Sequence, residues 1–151
     1  MHHHRLVKRF GYILLCLVVF GVIIFFLSHK TYKTKVVLGG QTFSMEVADT
    51  QYLLQKGLSG HTPLGSNEGM VFIFKNPDKY GFWMKDMTFP IDIIWVGSNF
   101  RITHIENSLQ PSTYPKIFYP SSNSLYVLEV SAGKAQKLNV NVGDLVKFVK
   151  N

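Results

Sequence analysis

A small, mainly β (α+β) domain, barrel-like and carrying one or two short helices, preceded by one N-terminal transmembrane helix, is the fold class this sequence predicts. Short apolar runs recur along residues 35–149, separated by Gly, Pro, Asn and Asp turns, which is the pattern of all-β sandwiches and barrels. Residues 10–27, FGYILLCLVVFGVIIFFL, hold no formally charged side chain. As a helix they reach about 27 Å, against a hydrocarbon core of about 30 Å. With the span set aside, some 120 residues remain, enough for one core.

The span is expected to be a retained anchor. A signal peptide has a shorter apolar region and small residues at its cleavage site, whereas Phe25-Phe26-Leu27-Ser28-His29-Lys30 follows here. Residues 1–9 then form a basic tail, 28–34 a linker, and 35–151 the β-rich domain. Arg5, Lys8 and Arg9 balance Lys30, Lys33 and Lys35 across the span, and the N-terminal amine with His2-His3-His4 tilts the count towards a cytoplasmic N-terminus. The domain is thereby expected outside the cytoplasm, in the cell membrane, with the lipid bilayer as partner of the helix. Cys16 lies within the span, so the domain folds without disulfides.

In order, residues 35–38 and 42–47 read as two strands closed by Gly39-Gly40. A helix follows, with Asp49 or Thr50 as N-cap, Tyr52, Leu53 and Leu54 as its apolar stripe, and Gly57 or Gly60 as its stop. Residues 70–74 are an uninterrupted apolar strand that expects burial on both faces. Pro90 opens a strand over 91–96, a place where its missing donor is tolerated. Gly97-Ser98-Asn99 turns into a strand over 100–105, and 110–123 is a long loop stiffened by Pro111, Pro115 and Pro120. A strand over 125–130, a short helix capped by Ser131 and running through Leu138, and a last strand over 145–149 after Gly143-Asp144 complete the chain.

The segments Gln55-Lys56-Gly57-Leu58, Glu68-Gly69-Met70-Val71-Phe72-Ile73-Phe74, Phe82-Trp83-Met84-Lys85, Pro90-Ile91-Asp92-Ile93-Ile94-Trp95, Val127-Leu128-Glu129-Val130-Ser131-Ala132-Gly133 and Val142-Gly143-Asp144 run in an order that resembles the uncharacterised domain-of-unknown-function family number 192. The resemblance covers nearly the whole domain. It implies a compact, mainly β, barrel-like fold, often exported or membrane-tethered, with no established reaction. Members of that family commonly carry Met and Arg after the Gly-Leu pair, where this chain has Ser59-Gly60-His61.

The formal charge is +7, but four of the sixteen cations and none of the nine acids lie within residues 1–30, so the domain carries only +3. Its lysines are dispersed singly, without the clustered cations and interleaved aromatics of a nucleic-acid surface, so no nucleic-acid partner is expected. The chain has no phosphate-binding glycine loop, no nucleophile elbow and no cysteine nucleophile in the domain, and His61 and His104 stand without partners at metal-ligand spacing. No cofactor and no metal site is expected.

Two carboxylates are set in apolar strands. The pleat puts Ile91, Ile93 and Trp95 on one face and Asp92, Ile94 and Val96 on the other. A buried Asp92 must pair with Lys85 or accept backbone amides, for which the turn over residues 86–89 is the nearest source. A structural staple is favoured there over a ligand contact. Glu129, in line with Leu125 and Val127, either caps the following helix or converges with Asp92 into an acid–base pair for glycan hydrolysis. Trp83, Lys85, Asp92, Tyr114, Phe118 and Tyr119 are the candidate ligand-binding residues, the loop aromatics being either a recognition surface or a cover folded over the barrel end. The function expected is therefore a membrane-anchored, extracytoplasmic binding or interaction module with an unknown envelope ligand or protein. The alternatives are an envelope glycan hydrolase using Asp92 and Glu129, and a scaffold that recognises a membrane protein through its anchor.

Overall fold

The structure, a computed structural model, describes residue 12, residues 15–21 and residues 31–149. The chain divides into two compact units, Met1–Lys30 and Thr31–Asn151. In the first, Tyr12 and residues 15–21 are helical. Most of the expected span over residues 10–27 lies outside the described residues, and no helix among the described residues is long and apolar enough to cross a membrane.

The second unit is mainly β. Its strands are β1 (Lys33–Leu38), β2 (Gln41–Ala48), β3 (Glu68–Asp78), β4 (Ile91–Val96), β5 (Ile102–Leu109), β6 (Ser124–Ser131) and β7 (Lys147–Val149), with helices α1 (Gln51–Lys56) and α2 (Lys134–Lys137). They form one sheet in the order β5-β4-β6-β3-β2-β1-β7. All neighbours are antiparallel except β2 and β3, which are parallel. That parallel pair requires a crossover, and α1 with the turns after it supplies the connection.

The β1–β2 hairpin forms where Gly39-Gly40 predicts it, with both glycines at positive φ (55° and 79°) and Leu38 opposite Gln41. α1 also forms as its cap signals demand. The Thr50 hydroxyl accepts from the Leu53 amide at 3.3 Å, and Gly57, at φ 49°, donates its amide to the Leu53 carbonyl. Thr50→Ala is expected to cost about 1 kcal/mol in urea titration of the full chain, the usual loss when an N-cap oxygen is removed.

Both faces of the sheet are covered. On one, Val36, Phe43, Met45, Val71, Ile94 and Leu128 pack with Ala135, Val140 and Val146. On the other, Met70, Phe72, Ile93, Trp95 and Val127 lie under Leu53, Leu58, Phe82, Met84, Phe89 and Phe118. β3 and β4 are both interior strands, paired on each side and covered on both faces, which is why residues 70–72 and the whole of Ile91–Val96 are buried.

The expected barrel does not form, because the sheet is not closed. β5 and β7 are its edges. Their approaches meet through the isolated bridge Arg101↔Leu145, and through the Ile102 amide on the Asp144 carbonyl (3.0 Å) and the Val146 amide on the Phe100 carbonyl (2.9 Å). β7 is three residues long and already paired to β1, too short to build a closing ladder against β5. With loops and α1 covering the second face, the large aromatics are buried without closure.

Two further elements differ from expectation. β5 begins at Ile102 instead of residue 100, because Phe100 sits at φ 60° inside the preceding turn, and it runs on to Leu109 through the polar stretch Glu106-Asn107-Ser108. Ser131 closes β6 and does not cap a helix. The residue before α2 is Gly133, left-handed and without a side-chain cap bond.

Candidate functional site

Asp92 lies on β4 with no exposed surface, facing the core of Ile94 and Val130. Its Oδ1 accepts the amides of Ser108 (2.8 Å) and Gly133 (2.9 Å), and its Oδ2 accepts the amide of Ala135 (2.8 Å). The carboxylate thus holds the irregular backbone of β5 at Ser108, where φ is 52°, and supplies from another strand the N-terminal cap that α2 lacks. Neither Lys85 nor the turn over 86–89, the partners expected for it, appears among these bonds. Asp92 is a staple between β4, β5 and α2.

Glu129 lies on the opposite face. In the ladder Asp92 stands across from Val130 and Ile93 across from Glu129, and residues directly opposite share a face. Glu129 therefore points with Ile93, Met70 and Val127 towards α1, while Asp92 points the other way. The two carboxyls do not converge, so the acid–base pair is not assembled. Nor does Glu129 cap α2, whose amides belong to Asp92.

The surroundings of Glu129 are apolar. The residue is 4% exposed, and its Oε2 has no hydrogen-bond partner among the described residues. Burial pushes the Glu129 carboxyl up to about 8, because ionising it forfeits hydration that nothing nearby replaces. A Cβ built on Gly57 would lie 3.2 Å from Phe72 Cζ and in ordinary contact, 3.9 Å, with this oxygen, so the glycine that ends α1 makes room chiefly for the Phe72 ring of the cavity wall.

Glu129 lines a cavity of about 110 Å³ between α1 with the turn after it and the segment 80–87. Its walls include Leu54, Gly57, Leu58, Phe72, Phe74, Tyr80, Phe82 and Met87, with Ser59 and Trp83 also lining it. The aromatic walls are braced against one another. Phe74 stacks on Tyr80 at 3.5 Å between centroids, and Phe82 meets Phe72 and Trp95 edge-on at 4.8 and 5.8 Å. Two bonds clamp the flanking turns together: the Ser59 hydroxyl to the Lys85 carbonyl (2.8 Å) and the Gly60 amide to the Asp86 carbonyl (3.0 Å).

The remaining candidates divide. Trp83 is 47% exposed and meets Tyr114, 46% exposed, in an edge-on contact at 6.3 Å. Tyr119 is also exposed, and a Cβ on Gly81 would lie 2.6 Å from its ring. Phe118, by contrast, is buried and exchanges two backbone bonds with Phe82, so that part of the loop is a cover folded onto the sheet. Lys85 is exposed and contributes its carbonyl. His104 meets Glu106 at 3.2 Å and packs edge-on against Trp95.

Of the residues lining the cavity, Trp83 and Glu129 are the two that the sequence singles out as site candidates. The other walls come from α1, β3 and the 80–87 segment, which are remote from Glu129 in the chain, so no local pattern gathers them.

Residues 34–148 match the family model DUF192, whose description is Uncharacterized ACR. The chain is also similar to solved structures. One is a crystal structure of a Sinorhizobium meliloti 1021 protein suggested to be a transcription regulator, 27% identical, covering 79% of this chain and 95% of that one with a TM-score of 0.74. Another is a protein of unknown function from Novosphingobium aromaticivorans DSM 12444, 34% identical, covering 78% of this chain and 84% of that one with a TM-score of 0.71. No curated protein matches the sequence.

Proposed function

This chain belongs to the DUF192 family, and on that footing we propose that it is a binding module that seats the end of a small ligand in the Glu129 cavity. The observation that carries the reading is the Glu129 carboxyl itself. Buried polar atoms are almost always satisfied, and one left open on a cavity wall is at its least costly when a ligand completes it. Trp83, exposed where it lines the cavity, and Tyr114, which meets it edge-on, supply contact surface for the rest of the ligand. A hydrolase reading lacks its second carboxylate, because Asp92 is engaged by three amides on the other face.

In this proposal the module is tethered to the cell membrane through residues 10–27, with the domain outside the cytoplasm. The uncharged run and the exposed apolar side chains of Leu15, Leu17, Val18, Val19 and Phe20 support the tether, and the N-terminal amine with His2-His3-His4 supports the orientation.

A ligand-observed NMR screen of the full chain against small aromatic, hydroxylated and charged fragments tests the reading. Fragments that bind are expected to lose about tenfold in affinity in Trp83→Ala, an effect of about 1.4 kcal/mol. The melting temperature should be nearly unchanged, since Trp83 is half exposed. No binding, or binding indifferent to Trp83, rejects this cavity as the site.

A further inference from the structure

We infer that the group seated against Glu129 is an organic ammonium, the end of an alkylamine or of a methylated amine, with its positive charge on the carboxylate and its carbons against the aromatic walls. This rests on the binding reading above and adds the chemical class of the ligand.

Five of the lining residues are aromatic, Phe72, Phe74, Tyr80, Phe82 and Trp83, and Glu129 is the one carboxyl among the lining residues. Aromatic faces and a carboxylate both attract a cation, and their combination in a water-poor recess selects one over a neutral or anionic group. Size points the same way. At about 110 Å³ the cavity is a little smaller than the engineered cavity of about 150 Å³ that takes one benzene ring, so it admits a single methylammonium or trimethylammonium end and excludes an oligosaccharide.

Among the described residues no side chain pairs with Glu129. From β3 and β4 the groups facing Glu129 are Met70, Phe72 and Ile93, all apolar. α1 contributes Lys56, the one cation among the residues lining the cavity, whose ammonium lies 6.0 Å from the centroid of the Tyr52 ring and forms no ion pair with Glu129. The 80–87 segment contributes Tyr80, whose hydroxyl donates to the Asn76 carbonyl at 2.7 Å, while Lys85 and Asp86 lie exposed on the turn. Among the described residues Lys33 pairs with Glu68 and the His104 ring meets Glu106, and neither contact involves Glu129. An incoming ammonium would provide the missing charge.

Uptake of a cation requires the ionised carboxylate, which burial disfavours below about pH 8. Affinity is therefore expected to rise about tenfold per pH unit up to that point and to level above it, with a proton released on binding.

The test is calorimetric titration of the full chain with choline and with its neutral isostere, in which tert-butyl replaces trimethylammonium, at pH 6 and pH 9. Choline is expected to bind at pH 9 at least about tenfold more tightly than the isostere, and about a hundredfold more weakly at pH 6. Glu129→Gln should erase both the preference and the pH dependence. If phosphatidylcholine vesicles compete with choline, the ammonium comes from a lipid headgroup; if they do not, it comes from a free amine. Equal binding of choline and the isostere overturns the ammonium class while the cavity stands as a site. Failure of both compounds, with fragments still bound at Trp83, also overturns it. Absence of every ligand rejects the binding reading as well.

Discussion

Glu129→Gln is expected to stabilise the protein at alkaline pH and to leave it almost unchanged in acid. In the native state the carboxyl keeps its proton up to about pH 8, whereas in the unfolded chain it releases it near its ordinary value of 4.5. Between those values the native state holds more protons than the unfolded state, so stability falls as pH rises through that window and is constant above it. At 1.36 kcal/mol per pKa unit, the loss is on the order of 5 kcal/mol, a large share of what a domain of this size possesses. Gln has the shape of the protonated acid and cannot ionise. Urea titration of the full chain at pH 5, 7 and 9 should therefore show wild type and variant within about 1 kcal/mol at pH 5 and the variant ahead by several kcal/mol at pH 9. Groups common to both proteins cancel in the difference. Parallel profiles would show that Glu129 ionises as readily folded as unfolded, and would remove the physical basis of the cavity's charge.

Asp92→Asn is expected to do the reverse, lowering stability by about 3–5 kcal/mol at neutral pH. The side chain is fully buried and acts only as an acceptor, with three amide donors aimed at it. An Asn retains one acceptor oxygen. If that oxygen stays with Ser108 and Gly133, the new amino group confronts the Ala135 amide, donor against donor. The opposite orientation leaves two amides opposed instead of one. The first arrangement loosens α2 and the packing of Ala135 in the core; the second releases the bend in β5 as well. Urea titration gives the magnitude, and hydrogen exchange at Ser108, Gly133 and Ala135 locates it. Stability equal to wild type would mean that the staple is dispensable. The two substitutions exchange the same atoms yet are expected to act with opposite signs, because one carboxyl is saturated with donors and the other has none.

Local features of the sequence specified several parts of this structure on their own. The alternation in residues 91–96 assigned Asp92 to the face of Ile94 and Val96, Gly39-Gly40 set the first hairpin, and Thr50 and Gly57 bounded α1. Each depends on a backbone period or a φ requirement that neighbouring residues settle among themselves. β5 was less legible, since Glu106-Asn107-Ser108 lacks the strand pattern and is held in the sheet from outside, by Asp92.

Other features were decided only by the tertiary structure. The donors to Asp92 come from 16, 41 and 43 residues away and were not the nearby turn or Lys85. Asp92 and Glu129 looked alike in sequence, each an acid in an apolar strand, and only the β4–β6 register sets them on opposite faces. Whether the sheet closes depended on the reach of its last strand, and whether loop residues 110–123 were exposed depended on where they landed, so Phe118 is covered while Tyr114 and Tyr119 are not. The sequence determined which residues each strand presents to either side, because the pleat repeats every two residues. What meets them was left to the pairing of distant strands and the volume left between them, which no local period encodes.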